Sequence, residues 1–131
     1  MTTRHATCTC GQLALTAEGE PSRISVCHCL NCQRRSGSAF AVQARFANAD
    51  VTIRGVSSEY ALTGDEGGVA RFHFCPTCGA TVYYRVDALP DEVAVPVGAF
   101  ADPGFPSPTV SNYGERMHRW LRLDEGIRLN E

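Results

Sequence analysis

Lysine is absent from this 131-residue chain, and all twelve basic residues are arginine. That excludes Schiff-base chemistry on a lysine amine. It leaves the guanidinium, a flat fork suited to carboxylates and phosphates, as the one permanent cation. Twelve Arg against 14 Asp and Glu give a formal net charge of −2, so no global field draws the chain to nucleic acid. No apolar run approaches the roughly 20 residues of a membrane span. The opening residues, 1–8, lack the apolar core of a signal peptide, so the expected compartment is the cytoplasm. No internal repeat, low-complexity segment or interdomain linker is present, and no long amphipathic helix is legible. The length suits one domain, 1–131, with a modest core.

What the chain does have is seven cysteines at short, regular spacings. Cys27, Cys29 and Cys32 form a C-x-C-x-x-C run within Cys27-His28-Cys29-Leu30-Asn31-Cys32. Two pairs flank it, Cys8-x-Cys10 and Cys75-x-x-Cys78, each followed at once by a glycine, Gly11 and Gly79. In a reducing compartment such spacings belong to metal ligands, and an odd number argues against full disulfide pairing.

Four thiolates close a tetrahedral zinc site, whereas three leave a position open for chemistry. The seven therefore read as four plus three. The favoured division gives Cys8, Cys10, Cys75 and Cys78 a structural zinc that staples two distant corners of the chain. Cys27, Cys29 and Cys32 then take a second zinc with an open position. In a competing division, Cys29 and Cys32 join one of the flanking pairs. The triad also has a closed reading, in which His28, His73 or His118 supplies a fourth ligand. The ring of His28 is expected to point away from the metal, and His73 reads as a satisfied strand histidine.

The pattern around these cysteines is β. Residues 4–17 read as strand, turn at Cys10-Gly11, strand, which would put Cys8 and Cys10 on one strand face. Short strands are expected at 23–26, 38–46, 51–55, 58–63, 69–74, 80–86 and 92–97. A helical turn or loop over 33–37 ends at Gly37. Gly64 to Gly68 is the clearest hairpin loop. Strand, C-P-x-C-G, strand around Cys75 reads as a zinc knuckle, whose tight turn aims N–H groups at sulfur. From Gly98 the chain is rich in proline and glycine. It is expected to wrap over the body, extended, without joining a sheet.

The order C-x-C-G, C-H-C-x-x-C-x-x-x-x-G, F-C-x-x-C-G, together with V-G-A-F-A-D-P and a terminal W-L-x-L-D-E-G-I, resembles the glutathione-dependent formaldehyde-activating enzyme family, which includes centromere protein V. The resemblance spans nearly the whole chain. It implies a zinc-bound fold of several small, strongly curved antiparallel sheets, shared with a Rab-binding zinc chaperone. It implies Cys8, Cys10, Cys75 and Cys78 as structural zinc ligands and Cys27, Cys29 and Cys32 as catalytic ones, two zinc ions per chain. The implied reaction joins glutathione to formaldehyde as S-hydroxymethylglutathione; its reverse is a carbon–sulfur lyase reaction.

A three-thiolate zinc fits that chemistry, because coordination holds an incoming thiol as thiolate. Three thiolates and a divalent cation sum to −1, and a bound thiolate adds another negative charge. Arg34 and Arg35 directly follow the triad and are candidates to offset this charge or to grip a glutathione carboxylate. The alternative is two solvated surface arginines. Two other functions stay open at this level: a zinc enzyme for another thiol or aldehyde, and a non-catalytic zinc-binding module for a protein partner. Neither a membrane nor a nucleic-acid partner is expected.

Overall fold

The computed structural model of the protein describes residues 2–130. Its strands are β1 (Thr3–Thr7), β2 (Ala14–Glu18), β3 (Arg23–Cys27), β4 (Ala41–Ala47), β5 (Val51–Arg54), β6 (Ser58–Thr63), β7 (Val69–Phe74), β8 (Thr81–Val86), β9 (Glu92–Pro96), β10 (Val110–Asn112) and β11 (Arg128–Asn130). One α-helix, α1 (Leu30–Ser36), follows β3, and short 3-10 turns fill other corners. The fold is mainly β, in two sheets. A three-stranded sheet runs β1-β2-β5. An eight-stranded sheet runs β11-β10-β3-β4-β9-β8-β7-β6.

Cys8 and Cys10 do not lie on a strand, contrary to expectation. β1 stops at Thr7 and β2 starts at Ala14, and both cysteines sit in the loop between them. Cys8 N–H donates to Leu13 O at 2.9 Å, and Gly11 N–H donates to Cys8 O at 3.1 Å. Gly11 is at φ +86°, a conformation that costs other residues about 1 kcal/mol or more. The Cys75 corner repeats the plan: Cys75 N–H donates to Ala80 O at 3.0 Å and Gly79 to Cys75 O at 2.8 Å, with Gly79 at φ +83°.

The strands at 51–55 and 58–63 are separated by a turn at Gly55, as the sequence suggests, but they go to different sheets. β5 pairs with β2, and β6 pairs with β7. Gly55 makes this parting feasible. It has φ +98°, and a Cβ there would stand 1.9 Å from the carbonyl oxygen of Gln12. Backbone thus packs on backbone where the small sheet meets the cysteine loop.

Leu13 and Leu15 from the first hairpin meet Phe46, Val82, Val93, Val95 and Phe100 in one core, with Cys8 and Cys75 at its edge. This burial is the main driving force for bringing the two cysteine corners together. The opposite face of the large sheet is covered too. Gln43, on β4, is buried and donates to Ser25 Oγ at 2.8 Å, while buried His28 contacts Ser111 Oγ at 3.1 Å. A separate cluster of Phe72, Tyr84 and Ala94 lies farther along.

The C-terminal segment corrects the expectation. It joins the large sheet instead of only wrapping over it. β10 pairs in parallel with β3, matching Asn112 to Cys27, and β11 pairs in parallel with β10. The sheet is therefore not wholly antiparallel. Without β10, one side of β3 would leave buried N–H and C=O groups unpaired. Val110 and Ser111, each 1% exposed, fill that edge. The pairing carries the chain past Cys27 and sets residues 113–118 beside the triad.

Candidate metal centres and adjoining cavity

The sulfurs of Cys8, Cys10, Cys75 and Cys78 lie within 4.8 Å of one another, and those of Cys27, Cys29 and Cys32 do likewise. Cys29 and Cys32 thus group with Cys27 and with neither flanking pair. No disulfide joins any of the seven. Cys8 Sγ lies 3.7 Å from Cys10 Sγ, which lies 3.6 Å from Cys75 Sγ. Tetrahedral zinc with Zn–S bonds of about 2.3 Å needs sulfurs about 3.8 Å apart. The donor set and its spacing fit a metal ion of that kind at both clusters.

Backbone amides already face the first cluster. Leu13 N–H donates to Cys8 Sγ at 3.3 Å, and Thr77 and Cys78 N–H donate to Cys75 Sγ at 3.4 and 3.5 Å. A further donor was not legible in the sequence. Gln12 Nε2 donates to Cys75 Sγ at 3.0 Å and to Val56 O at 2.7 Å. Its Oε1 accepts from Val56 N–H at 3.0 Å. Burial pushes the Cys75 thiol up, but the donors Cys78 N–H, Gln12 Nε2 and Thr77 N–H outweigh it and bring it down to about 5. Cys10 is pushed up to about 11: the backbone N–H of Gln12 lowers it, but the Cys75 and Cys8 sulfurs raise it more.

The triad is built at the start of α1. Cys29 is the N-cap, and its sulfur accepts from Cys32 N–H at 3.3 Å. The helix ends at Gly37, φ +68°, whose N–H donates to Gln33 O. The hydrogen bond from Cys27 holds the Cys32 thiol down at about 6 against burial, helped by the Arg35 guanidinium. The same hydrogen bond and burial push Cys27 far up.

No histidine, aspartate or glutamate joins the triad among the described residues. His28 turns away, fully buried, with Nε2 3.1 Å from Ser111 Oγ. His73 Nδ1 lies 2.9 Å from Ser57 Oγ, and its ring stacks on Tyr83 at 4.5 Å. His118 Nε2 lies 2.9 Å from Gln33 Oε1. Gln33 also donates to His28 O at 2.8 Å and to Arg116 O at 3.1 Å, tying α1 to the C-terminal segment.

Arg34 and Arg35 part company. Arg35 lies over Phe72, 4.4 Å from the ring centroid, and near Tyr84 at 5.5 Å, with its charge beside Cys32. Arg34 faces the other way, into a cavity of about 460 Å³ that opens on Cys29. α1 and its N-cap supply Cys29, Leu30, Asn31 and Arg34. The β6–β7 hairpin tip supplies Gly64, Asp65 and Glu66, and the segment after β10 supplies Tyr113, Glu115 and Arg116. The last two walls were not read from the sequence; topology brings them there. Tyr113 is at φ +58°, an uncommon backbone state for an aromatic residue. Its hydroxyl is held above the usual range, chiefly by the Glu66 carboxylate.

Fold and site define a mainly β protein with a four-cysteine cluster that can close on a metal and a three-cysteine cluster that opens to a cavity. The model of the glutathione-dependent formaldehyde-activating enzyme family matches residues 3–120, so the chain belongs to that family. A crystal structure of a Rhodobacter sphaeroides protein is similar, at 26% identity and a TM-score of 0.58, covering 78% of this chain and 90% of that one. No curated protein matches the chain in sequence. No helix among the described residues is long and apolar enough to cross a membrane.

Proposed function

We propose that the protein is a zinc enzyme that joins a small thiol, glutathione in the first instance, to an aldehyde such as formaldehyde. The carrying observation is that the triad has no fourth protein ligand among the described residues, while one of its members, Cys29, lines a cavity. In this reading Cys8, Cys10, Cys75 and Cys78 hold a structural zinc, and Cys27, Cys29 and Cys32 hold the catalytic one. A zinc ion in the triad supplies a position at which a thiol is kept as its thiolate near neutral pH.

The chain's residues do the rest. Arg35, fixed over Phe72, places a positive charge against the thiolate cluster at Cys32, so the site tolerates a further anion. Arg34, exposed at the cavity wall, is free to take a substrate carboxylate. The cavity holds thiol and aldehyde together, which lowers the entropic cost of their encounter. A carbon–sulfur bond forms as the carbonyl π pair moves to oxygen, and the proton lost by the thiol ends on that oxygen. The product is a hemithioacetal, with formaldehyde the S-hydroxymethyl adduct, and the reverse reaction is the lyase direction. The cysteine spacings, which suit thiolate ligands in a reducing compartment, support a cytoplasmic setting.

Calorimetric titration of zinc-loaded protein with glutathione tests the reading, with adduct formation followed against no-enzyme and Cys29→Ser controls. Saturable binding and a Cys29-dependent rate are expected. If neither glutathione nor any other small thiol binds, the reading is wrong.

A further inference from the structure

Five charged side chains line the cavity over Cys29: Arg34 and Arg116 against Asp65, Glu66 and Glu115. None of the five has an ion-pair partner among the described residues, although five other ion-pair contacts form elsewhere. They sit on three separate walls, so no local helix or hairpin rule accounts for their meeting. Their sum is −1. The triad beside them carries a further −1 when its three thiolates hold a divalent cation, and Arg35 beside Cys32 offsets that charge, so the cavity walls leave the site at −1.

We infer that this cavity selects its thiol by charge, and that its preferred substrate class is a small aminothiol. The ammonium of the ligand lies toward Asp65 and Glu66 on the hairpin tip, with Glu115 across from them. A carboxylate on the same ligand, where present, meets Arg34 and Arg116. A thiol that brings a carboxylate without an ammonium leaves the acidic walls unpaired and adds an anion to a site already negative overall, at a cost in affinity. This inference rests on the thiol-binding reading and deepens it. Asp65 and Glu66 become specificity-determining residues that need not touch the reacting sulfur.

Three thiols of similar size and different charge test it by calorimetry on the zinc-loaded protein: 2-aminoethanethiol, 2-mercaptoethanol and mercaptoacetate. The cation is expected to bind about tenfold or more tighter than the anion at low salt, with the contrast shrinking at about 1 M salt. The three thiols differ in acidity as well. The deciding quantity is therefore the cation-to-anion affinity ratio in the wild type divided by that in Asp65→Asn/Glu66→Gln, from which acidity cancels. That quotient is expected to be at least about fivefold, with affinity for the neutral thiol unchanged. Glu115→Gln, on another wall, should shift the ratio the same way, and Arg34→Gln the opposite way. These side chains are exposed and unpaired, so melting temperatures should match the wild type. If all three thiols bind and the ratio does not move in the variants, the charge selection is overturned while thiol binding stands. If none of the three binds while glutathione does, the aminothiol preference falls and thiol binding stands; if glutathione fails as well, both fall.

Discussion

The side-chain amide of Gln12 donates to the sulfur of Cys75 across 3.0 Å, linking the β1–β2 loop of the small sheet to the β7–β8 corner of the large one. The same amide is held by Val56 on both its nitrogen and its oxygen, so its direction is fixed. A donor aimed at a ligating sulfur spreads its negative charge and orients it, and loss of such a partner typically costs 10–100-fold in metal affinity. Gln12→Ala should weaken metal at the four-cysteine cluster by about that factor. The triad metal should be untouched. Competition with a chromophoric chelator, resolving two binding steps, checks this.

Cys75 at about 5 and Cys10 at about 11, both against an ordinary 9.0, set a pH dependence for metal-free protein. The folded value of Cys75 is depressed, so its contribution is whole above pH 9 and is lost as pH falls through 5. Cys32, at about 6, acts in the same direction. The folded value of Cys10 is raised, so its contribution is whole below pH 9 and is lost as pH rises through 11. Denaturant midpoints in the presence of chelator should therefore peak near pH 9. Gln12→Ala should flatten the acid limb. A monotonic profile across pH 6–10 would contradict the assignment.

Gly55 and Gly11 both have positive φ, yet their surroundings differ. A Cβ at Gly11 meets nothing within 4 Å, whereas one at Gly55 runs into the Gln12 carbonyl. Gly11→Ala should cost about 1 kcal/mol from backbone conformation alone. Gly55→Ala adds a backbone clash and should cost about 3 kcal/mol. It should also loosen metal at the four-cysteine cluster by displacing Gln12. Denaturation of the metal-loaded variants ranks the two.

The cysteine groups were legible because each is local: two corners with a glycine after the second sulfur, and one run of six residues. The β6–β7 loop was legible from Gly64, Gly67 and Gly68. β10 was not. Its three residues carry no period, and they pair only because the edge of β3 lies open to them. Everything depending on that pairing was hidden as well, including the place of Tyr113, Glu115 and Arg116 beside Cys29. Gln12 was hidden for another reason: one amide beside C-x-C-G has no spacing rule. Arg34 and Arg35 were visible as a pair, but only the turn of α1 sends one to the cavity and the other over Phe72.

The two clusters should differ in what their loss does. Cys75 is fully buried at the core edge, between corners contributed by β1–β2 and β7–β8. Cys29 caps a short helix and is partly exposed. Cys75→Ser should remove one metal per chain and lower the melting temperature sharply, because metal binding there is coupled to folding. Cys29→Ser should also cost one metal but leave the melting temperature within a few degrees. Elemental analysis with thermal melts decides, and equal destabilisation would make both clusters structural.

Tyr113 separates stability from binding at the cavity. Its φ of +58° disfavours an aromatic residue by about 1 kcal/mol, and 46% of its surface is exposed, so its burial contributes little in return. Neighbouring Asn112 is anchored by Arg23 and Asn130, which keeps the turn in place without the ring. Tyr113→Gly should leave the melting temperature unchanged or raise it by a few degrees. It should also remove one wall of the cavity over Cys29 and weaken thiol binding by a factor of several. Tyr113→Phe keeps the wall and loses only the hydroxyl, so its thiol affinity should stay near wild type. Melts and calorimetry on the two variants give the result. A large drop in stability for Tyr113→Gly would mean that the ring anchors the turn and that its strained backbone is held for structure, not for the cavity.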